Sequence, residues 1–176
     1  MVYLCHIKCM EKPDFDLQIL VNDGHTFAEF HLAIQKACGF SPDQLASFFY
    51  LPGLSPSRKV EISQTDAAYS GFANCAMEKT QLKNLLRSEQ EHLLYVFDLI
   101  QDRSFDIELT RLFMKKDVLE PSITSMNGEA PAQVLEEELQ DDSAESFSFI
   151  RECYDYGDLD DYTEIFGEME DLQGGN

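Results

Sequence analysis

The sequence has no tryptophan, no CxxC cysteine pair and no long apolar run. Because a membrane-spanning helix needs roughly 20 apolar residues, we expect no segment to cross a membrane. The start, MVYLCHIKCMEK, is not typical of a signal peptide, since its lysines follow a short apolar run. Five scattered cysteines favour reduced thiols over a disulfide framework. These features predict a cytoplasmic protein, and thirteen phenylalanines supply its aromatic core.

Basic residues are nearly absent from the last third of the chain. Residues 127–176 hold 16 Asp and Glu against a single base, Arg151, whereas residues 1–126 hold 17 acids and 12 bases. These counts give net charges of −15 and −5, which make up the total of −20. Such a field repels phosphate backbones and anionic lipids, so nucleic acid and membranes are poor partners. A protein with a basic surface or groove suits the acidic segment better, and solubility alone is the simpler alternative.

Motifs of the common catalytic and metal-binding classes are also missing. The glycines form neither a P-loop nor a dinucleotide-binding fingerprint, and no serine lies in a GxSxG elbow. None of the four histidines has zinc-ligand spacing, and DYGDLDDYTE (155–164) lacks the spacing of a calcium loop. The sequence therefore predicts no metal and no cofactor, and it favours a protein without enzymatic activity. His31 and Asp98 remain as weak catalytic candidates.

The most regular stretch is HTFAEFHLAIQKACGF, residues 25–40. Thr26 and Glu29 have the T-x-x-E spacing of a capping box, and Gly39 suits the left-handed position after a helix. Between them, His31 lies among apolar residues at helical spacing, which are Phe27, Phe30, Ile34 and Cys38. The pattern predicts a long helix with one buried face.

Alternating apolar patterns surround this helix and predict strands. The predicted strands cover 2–10, 15–21, 48–51, 60–63, 93–100 and 105–113. Thr80 is predicted to cap a second, short helix, and residues 64–79 are predicted to form a loop. The order ββαβ(β)αββ lacks strict βαβ alternation, so it predicts an α+β fold: a mixed β-sheet with the long helix packed on one face.

The composition changes after Pro121. NGEAPAQ (127–133) predicts a linker, which divides the chain into an α+β core domain, 1–126, and an acidic C-terminal extension, 127–176. Apolar residues at i, i+3, i+4 and i+7 predict an amphipathic acidic helix near 158–171 in this extension. Such a face docks either on its own domain or on a partner, and its candidate partner-binding residues are Tyr162, Ile165, Phe166 and Met169.

His31 and Asp98 each allow a structural and a catalytic interpretation. His31 is predicted to be a core histidine with one ring nitrogen bonded to backbone or to a carboxylate such as Asp98. Asp98 lies in the apolar run LLYVFDLI, so its carboxylate must find a donor or emerge at a strand end. Capping of a nearby loop is favoured over catalysis. An enzyme would need the two side chains within hydrogen-bond reach in one pocket.

Several segments together resemble one known family. TFAEFHLAIQKACGF follows the pattern T-L-A-x-L-H-x-x-I-x-x-A-x-G-W and shares Thr26, Ala28, His31, Ile34, Ala37 and Gly39 with it. Residues 95–105 follow Y-x-Y-D-F-G-D-x-W-x-H and keep Tyr95 and Asp98, and GEAPAQ (128–133) is similar to G-x-x-P-P-E. The chain thus resembles, over residues 2–135, the plasmid Orf-three-like family named from a Ri plasmid. Members of that family are sometimes labelled resolvase-like passengers of transposable elements.

The chain departs from the family pattern at several positions. Phe40 and Arg103 stand where the family has tryptophan, and Gln44, Ala46 and Phe105 replace histidines. The chain therefore resembles a divergent member that has kept only His31, and a lone histidine makes no metal site. The resolvase label implies DNA recombination, which needs a basic DNA-binding surface and an activated Ser or Tyr nucleophile. The sequence shows neither.

These observations favour a non-enzymatic cytoplasmic module that binds another protein through its sheet surface or its acidic terminal helix. Two alternatives stay open: a mobile-element-associated protein with a recombination or nucleic-acid role, and an enzyme with an Asp98–His31 pocket.

Overall fold

The structure, a computed structural model, describes residues 1–50, 60–64 and 73–135. Within these residues it has eight strands and one α-helix. In chain order they are β1 (Val2–Cys9), β2 (Asp16–Asn22), α1 (Phe27–Cys38), β3 (Ser47–Tyr50), β4 (Val60–Ser63), β5 (Ala73–Ala76), β6 (His92–Asp98), β7 (Arg103–Phe113) and β8 (Ser122–Asn127).

All eight strands belong to one sheet, in the order β5-β4-β3-β6-β7-β1-β2-β8. Neighbouring strands are antiparallel except β4 and β5, which run parallel. The sheet is therefore mixed, and together with α1 it confirms the predicted α+β class.

The first two strands, whose alternation is predicted, form a hairpin. The register pairs Cys5 with Ile19 and Ile7 with Leu17, and all four side chains are buried. β7 pairs with the other side of β1 and places the buried Ile107 opposite Ile7. Because paired residues point to the same side of a sheet, these side chains define one apolar face. We call it the inner face.

The helix α1 has the predicted caps at both ends. The Thr26 hydroxyl accepts a hydrogen bond from the backbone N–H of Glu29 at 3.2 Å, and the Glu29 carboxylate accepts one from the N–H of Thr26 at 2.7 Å. Gly39 follows the helix with φ of +69°, a left-handed conformation that a Cβ disfavours. The sequence thus specifies both ends of the helix that covers the inner face.

Aromatic packing joins α1 to the sheet. Phe27 and Phe30 pack on Phe48 of β3, with ring centroids 5.3 and 5.6 Å apart, and Ile34 is buried beside them. Cys38, the last residue of the helix, packs at the margin of this core and is partly exposed. The predicted buried face of the helix is therefore confirmed.

The short helix expected after Thr80 is instead a single 3-10 turn, Leu82–Asn84. The hydroxyl of Thr80 donates to the carbonyl of Ala76 and does not cap the turn. The first N–H groups of the turn donate to the carbonyls of His25 and Asp23. These bonds tie the turn to the residues that precede α1.

Two strands were not predicted. β5 lies in the stretch expected to be a loop, where small residues such as Ala73 and Ala76 give no apolar alternation. β8 is an exposed edge strand with only two large apolar residues, so its sequence carries little strand signal. Both strands are specified by pairing with a neighbour, which local patterns do not report.

The compact unit runs from Met1 to Val134, beyond the predicted boundary at residue 126. At the end of β8, Gly128 has φ of +71° and approaches Asp14 so closely that a Cβ would lie 2.4 Å from its carbonyl oxygen. Further along, the carbonyl of Ala132 accepts a hydrogen bond from Arg103 at 2.8 Å. The segment expected to be a linker is therefore tied to the sheet. The helix predicted near 158–171 lies outside the described residues.

Candidate functional site

His31 lies in the middle of the buried face of α1 and is 4% exposed. Its Nδ1 is 2.9 Å from the hydroxyl oxygen of Tyr95 on β6. Its Nε2 is 3.0 Å from the amide nitrogen of Gln64, which follows β4. The sequence predicted one hydrogen bond, to backbone or to Asp98. The structure instead gives two, to Tyr95 and Gln64, so the ring joins the helix to two separate parts of the sheet.

Gln64 determines the tautomer of His31. Its Oε1 accepts a hydrogen bond from the backbone N–H of Ala46 at 2.9 Å, so its Nε2, which can only donate, faces the imidazole ring. The Nε2 of His31 is therefore an acceptor. The ring proton lies on Nδ1 and is donated to the Tyr95 hydroxyl oxygen. An imidazolium would direct a second donor at Gln64, so the site holds the neutral ring.

Burial also keeps this pair uncharged. Desolvation lowers the pKa of His31 from 6.5 to about 4, and it raises the pKa of Tyr95 well above its ordinary value of 10.0. A general base works best with a pKa near the operating pH. His31 is therefore suited to joining helix and sheet, and poorly suited to taking protons from a substrate.

A depression of about 210 Å³ lies at the surface beside His31. Its lining includes Gln35, Pro42, Gln64 and Met77, but not Asp98. The ring nitrogen that faces Gln64 is already bonded there. The depression thus offers a mostly apolar surface with the exposed carboxylate of Glu78 at its margin.

Asp98 ends β6 in a buried position, with 2% of its surface exposed. Its Oδ1 accepts hydrogen bonds from the backbone N–H groups of Ile100 at 3.0 Å and Gln101 at 3.1 Å. This carboxylate oxygen therefore caps the turn between β6 and β7. The second oxygen, Oδ2, has no hydrogen-bond partner in the described part of the chain and lies 3.8 Å from a guanidinium nitrogen of Arg103.

Arg103 is the centre of an ionic cluster and is 7% exposed, whereas the side chain of its partner Glu11 is 40% exposed. Its Nε and one terminal nitrogen form a bidentate pair with Glu11, at 3.0 and 2.7 Å. The guanidinium also lies 5.0 Å from the ring centroid of Phe97 and donates to the carbonyls of Ala132 and Gln133. The hydrogen bond with Glu11 is the main cause that raises the pKa of Arg103. The cluster ties together the β1–β2 turn, the β6–β7 hairpin and the segment after β8.

His31 and Asp98 do not form one hydrogen-bonded site. Tyr95, the partner of His31, precedes Asp98 by three residues on the same strand, a separation of roughly 10 Å at about 3.3 Å per residue. The partners of the two side chains do not overlap. The two side chains therefore have separate structural roles: His31 joins α1 to Tyr95 and Gln64, and Asp98 caps the turn after β6.

Sequence reasoning missed Gln64 and Arg103 as partners of the candidate residues. For Arg103 a signal existed, because it has the same strand parity as Phe105, Ile107 and Leu109, which are all buried. A base at such a position predicts a buried ion pair. For Gln64, at the start of a predicted loop, no local pattern indicates a contact with the helix.

The other histidines contribute to separate contacts. His6 pairs with Asp16 at 2.5 Å and His92 lies 3.4 Å from Asp106, whereas His25 contacts the backbone of Asn22. Across residues 1–50, 60–64 and 73–135, no group of three His, Cys, Asp or Glu side chains is arranged to hold a metal ion. The described cysteines are free thiols: Cys5, Cys9, Cys38 and Cys75.

The candidate partner-binding residues of the extension lie outside the described residues; they are Tyr162, Ile165, Phe166 and Met169. Among the helices that the structure describes, none is long and apolar enough to cross a membrane.

Comparisons with known proteins found a similar solved structure and a matching family model. The fold is similar to the crystal structure of a protein of unknown function, MM3350 from Methanosarcina mazei Go1, with a TM-score of 0.59 and 20% identity. The match covers 71% of this chain and 68% of the other. No curated protein matches the chain. The family model described as plasmid pRiA4b ORF-3-like protein matches residues 10–138, a span that includes His31, Tyr95, Asp98 and Arg103. The chain therefore belongs to the plasmid pRiA4b ORF-3-like family, whose function is unknown.

Proposed function

We propose that this protein is a non-enzymatic cytoplasmic binding module that attaches to a basic surface or groove of another protein through its acidic C-terminal extension. One observation carries the proposal: residues 127–176 have a net charge of −15, whereas residues 1–126 have −5. Charge concentrated in one segment attracts a complementary partner over long range and speeds the encounter. The four apolar residues of the predicted terminal helix would then supply the buried contact; they are Tyr162, Ile165, Phe166 and Met169.

The roles of His31 and Asp98 support a binding function over an enzymatic one. Both nitrogens of His31 are engaged, and its lowered pKa keeps it neutral. Asp98 caps a turn and lies beside Arg103. Both side chains thus have structural contacts, which favours the binding function.

The test begins with the full chain and a chain that ends at Val134, the end of the compact unit. Both are used to capture proteins from the native cytosol, and a captured protein is then purified and its binding measured directly. We expect the full chain alone to bind it. Equal thermal unfolding of the two chains would show that the shorter one is folded.

A second variant separates charge from apolar contact. Ile165→Ser with Phe166→Ser keeps every acid of the extension and removes two residues of its predicted apolar face. We expect at least tenfold weaker binding to the purified partner. Retention of the partner by the chain that ends at Val134 would contradict the proposal, and tight salt-sensitive binding of DNA by the full chain would favour the nucleic-acid alternative.

A further inference from the structure

We propose that the edge of β8, which is unpaired among the described residues, receives an extended segment of a partner protein, with an apolar middle and a basic residue at each end, as an additional strand of the sheet. The inference rests on the proposed function in that both assign the chain a protein partner. It concerns a different surface, however, and is tested independently of the extension.

β8 is the last strand in the sheet order, and its neighbour among the described strands is β2 alone. Its six residues, SITSMN, include no charge and no proline. Proteins commonly protect an exposed edge with lysine, proline or a bulge, because its unpaired N–H and C=O groups pair readily with another strand. Here a bulge is present but the other two protections are missing, so the edge can accept a strand.

The bulge places two apolar side chains on the same face. Gln18 pairs with Ser125 and Ile19 pairs with Ile123, so Thr124 has no partner in the register. Thr124 instead donates its hydroxyl hydrogen to the carbonyl of Gln18 at 3.1 Å. Because β8 has this extra residue, strict alternation is interrupted there.

The two apolar side chains of β8 therefore both lie on the inner face. Ile123 is opposite Ile19 and Met126 is opposite Leu17, and both residues of β2 belong to the buried core. Yet Ile123 and Met126 are 44% and 41% exposed. They extend the apolar inner face beyond the part that is covered.

The helix supplies the other side of this surface. Leu32 of α1 is 58% exposed, and it lines a depression of about 290 Å³ whose other lining residues are Glu29, Ala33, Lys36, Glu120 and Pro121. Ile123 and Met126 are not among the lining residues of this depression but lie on the face of the sheet that α1 covers. We use the name edge groove for these four apolar residues beside the edge of β8: Leu32, Pro121, Ile123 and Met126. A strand added to β8 would direct every second side chain toward the edge groove, which favours apolar residues at those positions.

Charge around the strand identifies the partner further. Glu120 precedes β8, Glu129 follows it, and both are exposed. An antiparallel second copy with Ser122 opposite Asn127 would bring Glu120 opposite Glu129, and like charges directly opposite destabilise a strand pair. A partner with Lys or Arg at both ends of its apolar middle is complementary instead. The net charge of the chain, −20, likewise favours a basic partner over an acidic one.

The experiment uses the full chain and a synthetic peptide, Lys-Lys-Val-Thr-Val-Thr-Val-Lys-Lys, with amide chemical shifts as the readout. We expect shift changes concentrated in β8 and the edge groove. The same peptide with glutamate in place of lysine should bind at least tenfold more weakly. Two further peptides carry N-methyl groups at alternate residues, one at the odd and the other at the even positions. The peptide whose methylated nitrogens face β8 should fail to bind, because it has lost the donors that would pair with the strand.

Variants of the chain test the side chains. Ile123→Ser with Met126→Ser should weaken peptide binding at least tenfold, whereas the control Ile100→Ser should leave it unchanged. Ile100 is an exposed residue of the β6–β7 turn, and β1 and β2 separate this hairpin from β8 in the sheet. Glu120→Lys with Glu129→Lys should reverse the preference between the lysine and glutamate peptides.

Three results would overturn the inference: shift changes that leave β8 unaffected, equal binding of both methylated peptides, or self-association of the chain through β8 in sedimentation. The chain that ends at Val134 retains β8, so its peptide binding should survive. If the chain that ends at Val134 no longer binds the native partner, that result bears only on the proposed function of the extension.

Discussion

The hydroxyl oxygen of Tyr95 and the Nδ1 of His31 lie 2.9 Å apart across the boundary between α1 and the sheet. Their ring centroids are 5.7 Å apart, and both side chains are buried. His31 belongs to the helical segment that resembles the family pattern, and Tyr95 to the later segment. The two segments that are far apart in sequence thus meet in one hydrogen bond, which gives the retained histidine a structural purpose.

Removing the hydroxyl of Tyr95 should destabilise the fold measurably. Tyr95→Phe leaves the Nδ1–H of His31 buried without an acceptor, which costs about 1–3 kcal/mol in the free energy of unfolding. Urea denaturation measures the change. The control Leu32→Ala, at an exposed position on the same helix, should cost less than about 1 kcal/mol. Equal losses for the two variants would mean that the hydrogen bond contributes nothing.

His31 should make stability fall as the medium becomes acidic. Its pKa is about 4 in the folded chain against 6.5 ordinarily, so the unfolded chain takes up this proton first. Its contribution is complete above pH 6.5 and is lost between pH 6.5 and about pH 4, by about 3 kcal/mol. The free energy of unfolding of His31→Gln should change less over that window. An unaltered pH profile in this variant would contradict the buried neutral ring.

Arg103 should hold the segment that follows β8. Arg103→Lys keeps the charge but loses the bidentate contact with Glu11 and the bonds to the carbonyls of Ala132 and Gln133. We expect faster amide hydrogen exchange in residues 129–134 and a loss of about 1.5–3 kcal/mol in stability, because hydrogen bonds from a charged group are lost. The exposed Arg111→Lys is the matched control. Unchanged exchange in this segment would show that other contacts hold it.

The close approach of Gly128 to Asp14 allows a matched pair of glycine substitutions. Gly128→Ala places a Cβ 2.4 Å from a backbone oxygen at φ of +71°, so we expect a loss of more than about 2 kcal/mol. Gly24→Ala meets its nearest atom at 3.9 Å and has no positive φ, so it should change stability by less than about 1 kcal/mol. Thermal unfolding measures the stability of both variants, and similar melting temperatures would contradict the close approach of Gly128 to Asp14.

The sequence predicts those parts of the fold whose cause is local. The caps at Thr26 and Gly39 lie within a few residues of the groups they satisfy, and the alternation of β1 and β2 reports directly which face is buried. By contrast, β8 is a strand because β2 lies beside it, and residues 127–133 are ordered through contacts with distant groups such as Arg103. Such long-range pairing leaves no periodic pattern in the strand itself.

The same distinction applies to the candidate site. The burial of His31 follows from the helical spacing around it, and the turn cap at Asp98 follows from its place at the end of an apolar run. The actual partners of His31, Tyr95 and Gln64, come from separate segments. Their identity depends on the order of strands in the sheet, which spacing along the chain does not encode.

The acidic extension is the part on which the proposed function depends, and its contribution is measurable in one titration. The dissociation constant of the purified partner is determined for the full chain from low to high salt, beside the chain that ends at Val134. We expect affinity to fall steadily with salt for the full chain, and at least tenfold weaker binding for the shorter one at low salt. Equal, salt-independent dissociation constants for the two chains would contradict a partner bound by the acidic extension.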